Sequence, residues 1–352
     1  MGDDAEQAQA AIGQDDPGSD WRLAPGAHAE ALPEEAGALR RILQHPELQS
    51  IISAFETADK QAVDAQARYK RVARLRLYTG VAATIVGATF ILPLDEWIRG
   101  FLSIPAAVQY GCLVISILAA LYLVRSKPFD AWMKARAKAE IARIDLFNYV
   151  ITAIDDAPQP GELPVLPLKL EYFRRYQLDV QLRYYEGRGQ QHARAAGETA
   201  RWQFVSVALT CVAAAIALLS ATKFLVDLAP LPDWIKNLSQ IVQSHLPPWT
   251  NKAVLAIGIV SSTLFGASIS RSLMDLDERN ASRYLTTAAN LELLRNTRLE
   301  AARRDAAAGL IGKVQDFVDA IQDQISTEHR EWILLGDNLP GKFKKATPVQ
   351  VH

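Results

Sequence analysis

The sequence predicts an all-α membrane protein: four transmembrane helices arranged as two hairpins, with long cytoplasmic helices forming a bundle. Three observations predict it. Four stretches of 18 or more residues are strongly apolar and contain no Asp, Glu, Lys, Arg or His. Lysines and arginines crowd one end of every such stretch. Between the stretches, apolar residues recur at i, i+3 and i+4, and no alternating strand pattern appears outside a proline-rich linker.

Averages conceal this segregation. The 352 residues are 49% hydrophobic and 22% charged, with a net charge of −1 and a mean hydropathy of +0.01. Taken alone, those are values of a soluble globule. The balance of 38 basic against 39 acidic residues removes any global argument for a nucleic-acid partner. Two cysteines exclude a disulfide scaffold and a four-cysteine zinc site.

Residues 1–37, rich in Ala, Gly, Asp, Glu and Pro, read as a disordered acidic tail. The first two-transmembrane domain follows over 38–156, its spans at about 77–94 (LYTGVAATIVGATFILPL) and 102–124. Pro158, Pro160, Gly161, Pro164 and Pro167 mark a linker over 157–167. A second domain occupies 168–335, with spans at about 202–222 and 253–270, and 336–352 is a loose basic tail. About 20 residues of helix cross a hydrocarbon core of roughly 30 Å, so all four stretches suffice. The first lies too far along the chain for a cleavable signal peptide and reads as an internal anchor.

Flanking charge orients the spans. Arg68, Lys70, Arg71, Arg74 and Arg76 precede the first; Arg125, Lys127, Lys134, Arg136 and Lys138 follow the second. Arg188, Arg194 and Arg201 precede the third; Arg271, Arg279 and Arg283 follow the fourth. The excess falls on one side each time, which predicts a multi-pass protein with both termini cytoplasmic. In the outer connections, Trp97, Trp234 and Trp249 suit the headgroup level as interface anchors. Asp233 to His245 reads either as an amphipathic helix on the outer surface or as an ordinary loop helix.

The cytoplasmic segments carry apolar stripes: Leu285, Ala288, Ala289, Leu291, Leu294 and Leu299, then Ile311, Val314, Phe317, Val318, Ile321 and Ile325. Packing against the helices that precede the spans, in a cytoplasmic bundle, is the expected use of these stripes, with dedicated partner-binding grooves as the alternative.

Chemistry is sparse. Gly336 to Lys342 matches the G-x-x-x-x-G-K of a phosphate loop, but Phe343 replaces the magnesium-binding hydroxyl, Pro340 removes an N–H and no strand precedes it. The six histidines show no paired-ligand spacing. His329, in Glu328-His329-Arg330-Glu331-Trp332, reads as part of a salt-bridged helix end. Cys112 and Cys211 lie inside spans as small fillers. No catalytic, cofactor-binding or metal-ligating residue is predicted, and the chain does not read as an enzyme.

The spans themselves carry the better signal. Gly258, Ser262, Gly266 and Ser270 recur every fourth residue, a small-residue ladder that lets helix backbones approach closely. In the first span Gly80 and Thr84 are four apart, as are Ala83 and Gly87. These eight residues are candidates for helix packing or for lining a pore, and packing inside one subunit competes with a subunit–subunit interface. No ionisable residue sits at the centre of a span, which argues against an ion-coupled transporter and permits a hydroxyl-lined or hydrophobically gated channel.

The second half, from Tyr172-Phe-Arg-Arg-Tyr176-Gln177 through Gln181-Leu-Arg183-Tyr184-Tyr185 and Ala193 to Trp202, then a hairpin, Tyr284–Leu299 and Glu328 to Trp332, resembles the SLATT domains. These are two-transmembrane effector domains associated with bacterial nucleotide-sensing conflict systems. The first half, with His45-Pro46, Ala58-Asp59 and Gln66-Ala-Arg-Tyr69-Lys70, looks like a divergent second copy, so the resemblance implies two copies in tandem over roughly 40–335. It also implies an inner-membrane effector that oligomerises in the bilayer and forms a pore or disrupts the membrane in an anti-phage response. A separate cytosolic nucleotide synthase or nucleotide sensor would then be its partner. The competing expectation is a non-conducting anchor or scaffold whose cytoplasmic helices recruit a partner.

Overall fold

The computed structural model describes residues 2–13, 23–91, 103–154, 159–226, 232–234, 237, 241 and 250–337. They form eleven helices: α1 (Gly2–Ile12), α2 (Pro25–Ala31), α3 (Gly37–Leu43), α4 (Pro46–Thr89), α5 (Ser103–Ser126), α6 (Pro128–Thr152), α7 (Val165–Phe173), α8 (Val180–Val226), α9 (Thr250–Asp275), α10 (Asp277–Ala307) and α11 (Ile311–Asp337). A six-residue π-turn, Arg174–Asp179, joins α7 to α8. No strand occurs among the described residues.

Local chemistry sets several boundaries. Pro25, Pro46 and Pro128 open α2, α4 and α6, where a missing N–H costs nothing and φ is already helical. Helix α10 is closed by Gly309, two residues past its end, at φ +72°, with the Leu310 N–H reaching back to Asp305 O at 2.9 Å, a closure that only a residue tolerant of positive φ makes cheaply. Two other breaks fall on side chains that resist that region: Lys127 (φ 42°) separates α5 from α6, and Leu276 (φ 50°) separates α9 from α10.

Tertiary contacts divide the chain into two compact units. The charged unit comprises Met1–Arg68, Pro128–Gln191 and Asn280–His352; the apolar unit comprises Tyr69–Lys127 and His192–Arg279.

Helix α7 is the centre of the charged unit. Leu168, Leu170, Tyr172 and Phe173 are out of solvent, and α1, α3, α6 and α11 pack against it. Most of the expected stripe on α11 is used here: Val314, Phe317, Val318, Ile321 and Ile325 are buried, whereas Ile311 at its start is exposed. On α10, Ala288, Leu291 and Leu299 are buried while Leu285 stays exposed. So the charged helices do form a bundle.

Two charged residues of α7 are buried with the rest. Lys169 donates to Ile151 O at 3.3 Å and to Ala153 O, the free carbonyls at the end of α6. Glu171 accepts from Arg174 Nε at 2.6 Å and, in a fork, from Arg303 at 2.7 and 3.2 Å. Arg174 also reaches Asp179 at 2.5 Å, across the π-turn. Gln177, inside that turn, is fully buried, and neither end of its amide has a hydrogen-bond partner among the described residues.

The N-terminal segment departs from its composition. The disordered acidic tail expected over 1–37 contains α1 and α2, and Ala8, Ile12, Ala29 and Ala36 join the core. His28 explains the docking of α2: its Nδ1 lies 2.9 Å from the Tyr172 hydroxyl, and its ring stacks on Tyr176 at 3.9 Å. Arg174 donates to Gly13 O at 3.3 Å, and Arg175 to Ile12 O. A short apolar face with polar anchors suffices, although a segment with so few large apolar residues would by itself stay disordered. The proline-rich linker is equally tied: Leu163 N–H donates to Glu35 O at 2.8 Å, and Arg41 binds Glu162 at 2.7 Å. Hydrogen bonds from Arg41 and the Gln159 N–H hold the Glu162 carboxyl below its ordinary pKa. Helix α7 begins at Val165, inside the expected linker, with Pro167 tolerated in its first turn.

The buried network makes opposite predictions for two neighbours. Glu171→Gln removes the anion between two guanidiniums and is expected to cost about 3 kcal/mol, with Asp179 and Glu300 still present to limit the loss. Gln177→Met removes an unpaired buried amide and is expected to stabilise by about 1–3 kcal/mol. Thermal unfolding of the purified protein in detergent, followed by circular dichroism, reads both, and a lower Tm for Gln177→Met would contradict the burial argument.

Candidate membrane-spanning site

The apolar unit leaves its hydrophobic side chains uncovered. Three described helical runs are long and apolar enough to cross a membrane, within Ile104–Ser126, Val165–Ala217 and Lys252–Ala307. Only 6%, 11% and 17% of their most apolar windows are buried. Val108, Val114, Ile117, Leu118, Leu121 and Val124 on α5 stand open, as do Phe204, Val205, Val207, Leu209 and Val212 on α8. A water-soluble surface does not tolerate patches of this extent. A bilayer does, because helices satisfy their own backbone. The chain is therefore an all-α membrane protein. The first expected span, about 77–94, coincides with the last turns of α4, and its final residues 92–94 lie outside the described residues.

Inside the apolar unit, small and hydroxyl-bearing residues make the contacts. Ala83 is 1% exposed. A Cβ on Gly80 would meet Ser116 Oγ at 3.4 Å, and one on Gly87 would meet Gln109 Nε2 at 2.6 Å. Thus Gly80, Ala83 and Gly87 serve the packing of α4, in part on α5, where Ser116 Oγ also donates to Arg76 O at 3.1 Å. Thr84 Oγ1 returns its proton to Gly80 O at 3.1 Å.

Helix α9 presents three different faces. One packs: Val254, Ser261 and Ser268 are buried, and Ser261 Oγ lies 2.9 Å from Thr210 Oγ1 of α8. A second, with Thr263, Ala267, Ser270 and Met274, borders a crevice of about 460 Å³, whose other wall is Tyr69, Ala73, Arg76, Leu77, Gly80, Val81, Thr84 and Ser116. The third carries most of the small-residue ladder and packs against nothing among the described residues, where a Cβ on Gly258 or Gly266 would find no atom within 4 Å. Ser262 and Ser270 are exposed. On a 3.6-residue helix a four-residue repeat advances by about 40° per step, which is why the ladder starts on the open face and ends, at Ser270, beside the crevice. Thr263 and Ser270 donate to Ile259 O and Gly266 O, both at 2.8 Å, so their protons are already satisfied.

The interface anchors are only partly visible. Trp234 is 68% exposed; Trp97 and Trp249 lie outside the described residues, as does most of Asp233 to His245. In the phosphate-loop mimic, Gly336 is helical within α11 and the remainder beyond Asp337 is not described. Cys112 and Cys211 are free thiols on α5 and α8. No group of His, Cys, Asp and Glu able to hold a metal occurs among the described residues. Sequence reasoning missed the Thr210–Ser261 contact, because neither residue belongs to a four-residue ladder with the other. It also used Lys70, Arg74 and Arg271 only for orientation, whereas they line one cavity of about 250 Å³ with Tyr69, Ala73, Leu77, Tyr78 and Met274.

Residues 53–155 match the family model described as SMODS and SLOG-associating 2TM effector domain 3. The chain thus carries a SLATT two-transmembrane domain, which runs from the first turns of α4 through α5 and α6. The match falls on the first half; the second half, with Tyr172 to Tyr185, lies beyond the matched residues. No curated protein and no solved structure matches the chain.

The two faces of α9 respond differently to bulk. Ser261→Leu forces a large side chain into the α8 contact and is expected to destabilise by roughly 1–3 kcal/mol. Gly266→Leu points into open space and is expected to leave the Tm of the protomer within about a degree. Thermal melts in a detergent that holds the protein monomeric separate them, and equal losses would refute the assignment of faces.

Proposed function

We propose that this SLATT-bearing chain is a membrane effector that oligomerises in the bilayer and opens a pore, or otherwise breaches the membrane, when a defence signal arrives. The observation that carries this reading is the open face of α9. Gly258, Ser262 and Gly266 are small enough to let a second helix approach closely, yet no helix of the same protomer occupies that face among the described residues. A ladder used for internal packing would be covered.

Several further parts of the reading belong to it. The protein resides in the bacterial inner membrane as a multi-pass protein with both termini in the cytoplasm, supported by the arginine clusters at one end of each span. It is built as two SLATT-like domains in tandem, 38–156 and 168–335, joined by 157–167. Architecture supports the duplication: each half sends in one unbroken helix of 44 or 47 residues, α4 and α8. Each then ends its outgoing span on a single positive-φ residue, Lys127 or Leu276, before a charged helix. The charged unit, rather than any catalytic constellation, receives the signal, from a separate cytosolic nucleotide synthase or nucleotide sensor.

Expression and electrical measurement test this directly. Induced expression is expected to collapse the membrane potential, read with a potential-sensitive dye, and to arrest growth. Gly266→Leu is expected to abolish both while the protein still fractionates with membranes and keeps its Tm. Purified oligomer is expected to conduct in planar bilayers; an oligomer that inserts and never conducts would instead favour the anchoring role.

A further inference from the structure

The cavity lined by Lys70, Arg74 and Arg271 lies wholly within the apolar unit, between α4 and α9. Lys70, Arg74 and Tyr78 stand at i, i+4 and i+8, on one face of α4; Arg271 and Met274 approach from α9, with Tyr69, Ala73 and Leu77 completing the wall. Among the described residues no carboxylate lines the cavity. None of the three cations is ion-paired among the described residues, although the arginines of the charged unit are paired with Glu140, Glu171, Asp179 and Glu300. Like charges gathered without counter-charge repel one another, and an anion bound among them relieves that repulsion.

Its position says which anion. Arg76 is the last charge before the uncharged stretch on α4, and Arg271 the first after the uncharged stretch on α9, so the cavity sits where lipid phosphates lie. Beneath it the larger crevice continues, sharing Tyr69, Ala73, Leu77 and Met274. Besides Arg76, Ser116 and Ser270, that crevice is walled by Gly80, Val81, Thr84, Thr263 and Ala267, small and apolar enough for a hydrocarbon chain to lie along them. A soluble phosphate would use only the upper chamber, whereas a phospholipid fills both.

We propose that the apolar unit holds one anionic phospholipid in the continuous crevice between α4 and α9. Lys70, Arg74 and Arg271 bind its phosphate, Tyr69 and Tyr78 flank the headgroup, and an acyl chain lies along Gly80, Thr84, Thr263 and Ala267. Basic pockets between membrane helices are suited to such headgroups. The site rests on the membrane reading and is independent of whether a pore opens.

The test uses full-length protein in neutral detergent, stripped of lipid and titrated separately with phosphatidylglycerol, phosphatidylcholine and inorganic pyrophosphate. Native mass spectrometry counts what is bound. Phosphatidylglycerol is expected to bind one per protomer and phosphatidylcholine not to bind. Lys70→Gln alone is expected to weaken retention roughly fivefold, and Lys70→Gln/Arg74→Gln/Arg271→Gln by about a hundredfold. The equal charge loss Arg68→Gln/Arg71→Gln/Arg125→Gln, outside the cavity, is expected to change it less than about twofold. Arg74→Lys/Arg271→Lys, which preserves the charge, is expected to retain binding and excludes misfolding as the cause. Equal losses in the two triple variants would overturn the site in favour of diffuse surface charge. Pyrophosphate binding that the cavity variants abolish, with no preference for phosphatidylglycerol, would overturn the lipid occupant. A protein that fails to conduct yet shows the expected lipid pattern contradicts only the pore, and one that never partitions into membranes contradicts both.

Discussion

The apolar windows of α5, α8 and α9 cannot be buried by the chain that carries them. Val108, Val124, Phe204 and Val212 project outward with at least a third of their surface open, and no described helix remains to cover them. At about 25 cal/mol per Å² of apolar surface, leaving such windows in water is not sustainable, while transferring them to hydrocarbon removes the cost. The apolar unit is therefore suited to a bilayer rather than to water. In lipid, however, helices gain nothing from hiding leucine from solvent, so they associate through close approach and occasional hydrogen bonds. That is the role of Gly80, Ala83 and Gly87 on α4 and of Thr210 and Ser261 between α8 and α9.

The charged unit solves the opposite problem with ordinary means. Helix α7 is covered on every face from Pro167 to Phe173, and so it brings Lys169 and Glu171 inside with it. Both are answered: Lys169 by the free carbonyls of α6, Glu171 by Arg174 and Arg303. Because an unanswered buried charge is so costly, the Glu171 network constrains where α10 and the π-turn can sit. That turn sets Tyr176 against His28, and so a segment with little apolar content of its own becomes ordered.

Division of labour follows from these two chemistries. A membrane part with uncovered faces is suited to meeting lipid and further copies, and a polar bundle is suited to receiving a signal. The matched SLATT segment is a membrane-type domain. Small residues on α9 serve both inward packing and an open face, which is why one helix can hold its own protomer together and still present a surface to another.

Much of this was legible in the chain. Uncharged length and the arginines beside it are local properties, so the all-α membrane class and the α11 stripe, Val314 to Ile325, followed from spacing alone. The order in residues 2–12 and 25–31 was not legible, because it depends on Tyr172 to Tyr176, more than 140 positions away. Nor does a ladder such as Gly258, Ser262, Gly266 and Ser270 carry any mark of direction: periodicity says that residues share a helix face, but not what that face meets. The sequence by itself determined that the helices are membrane-grade and charged by turns. Only the tertiary structure decided which small residues face inward, which stay open, and that Lys70, Arg74 and Arg271 surround one cavity, because those are relations between helices rather than patterns within one.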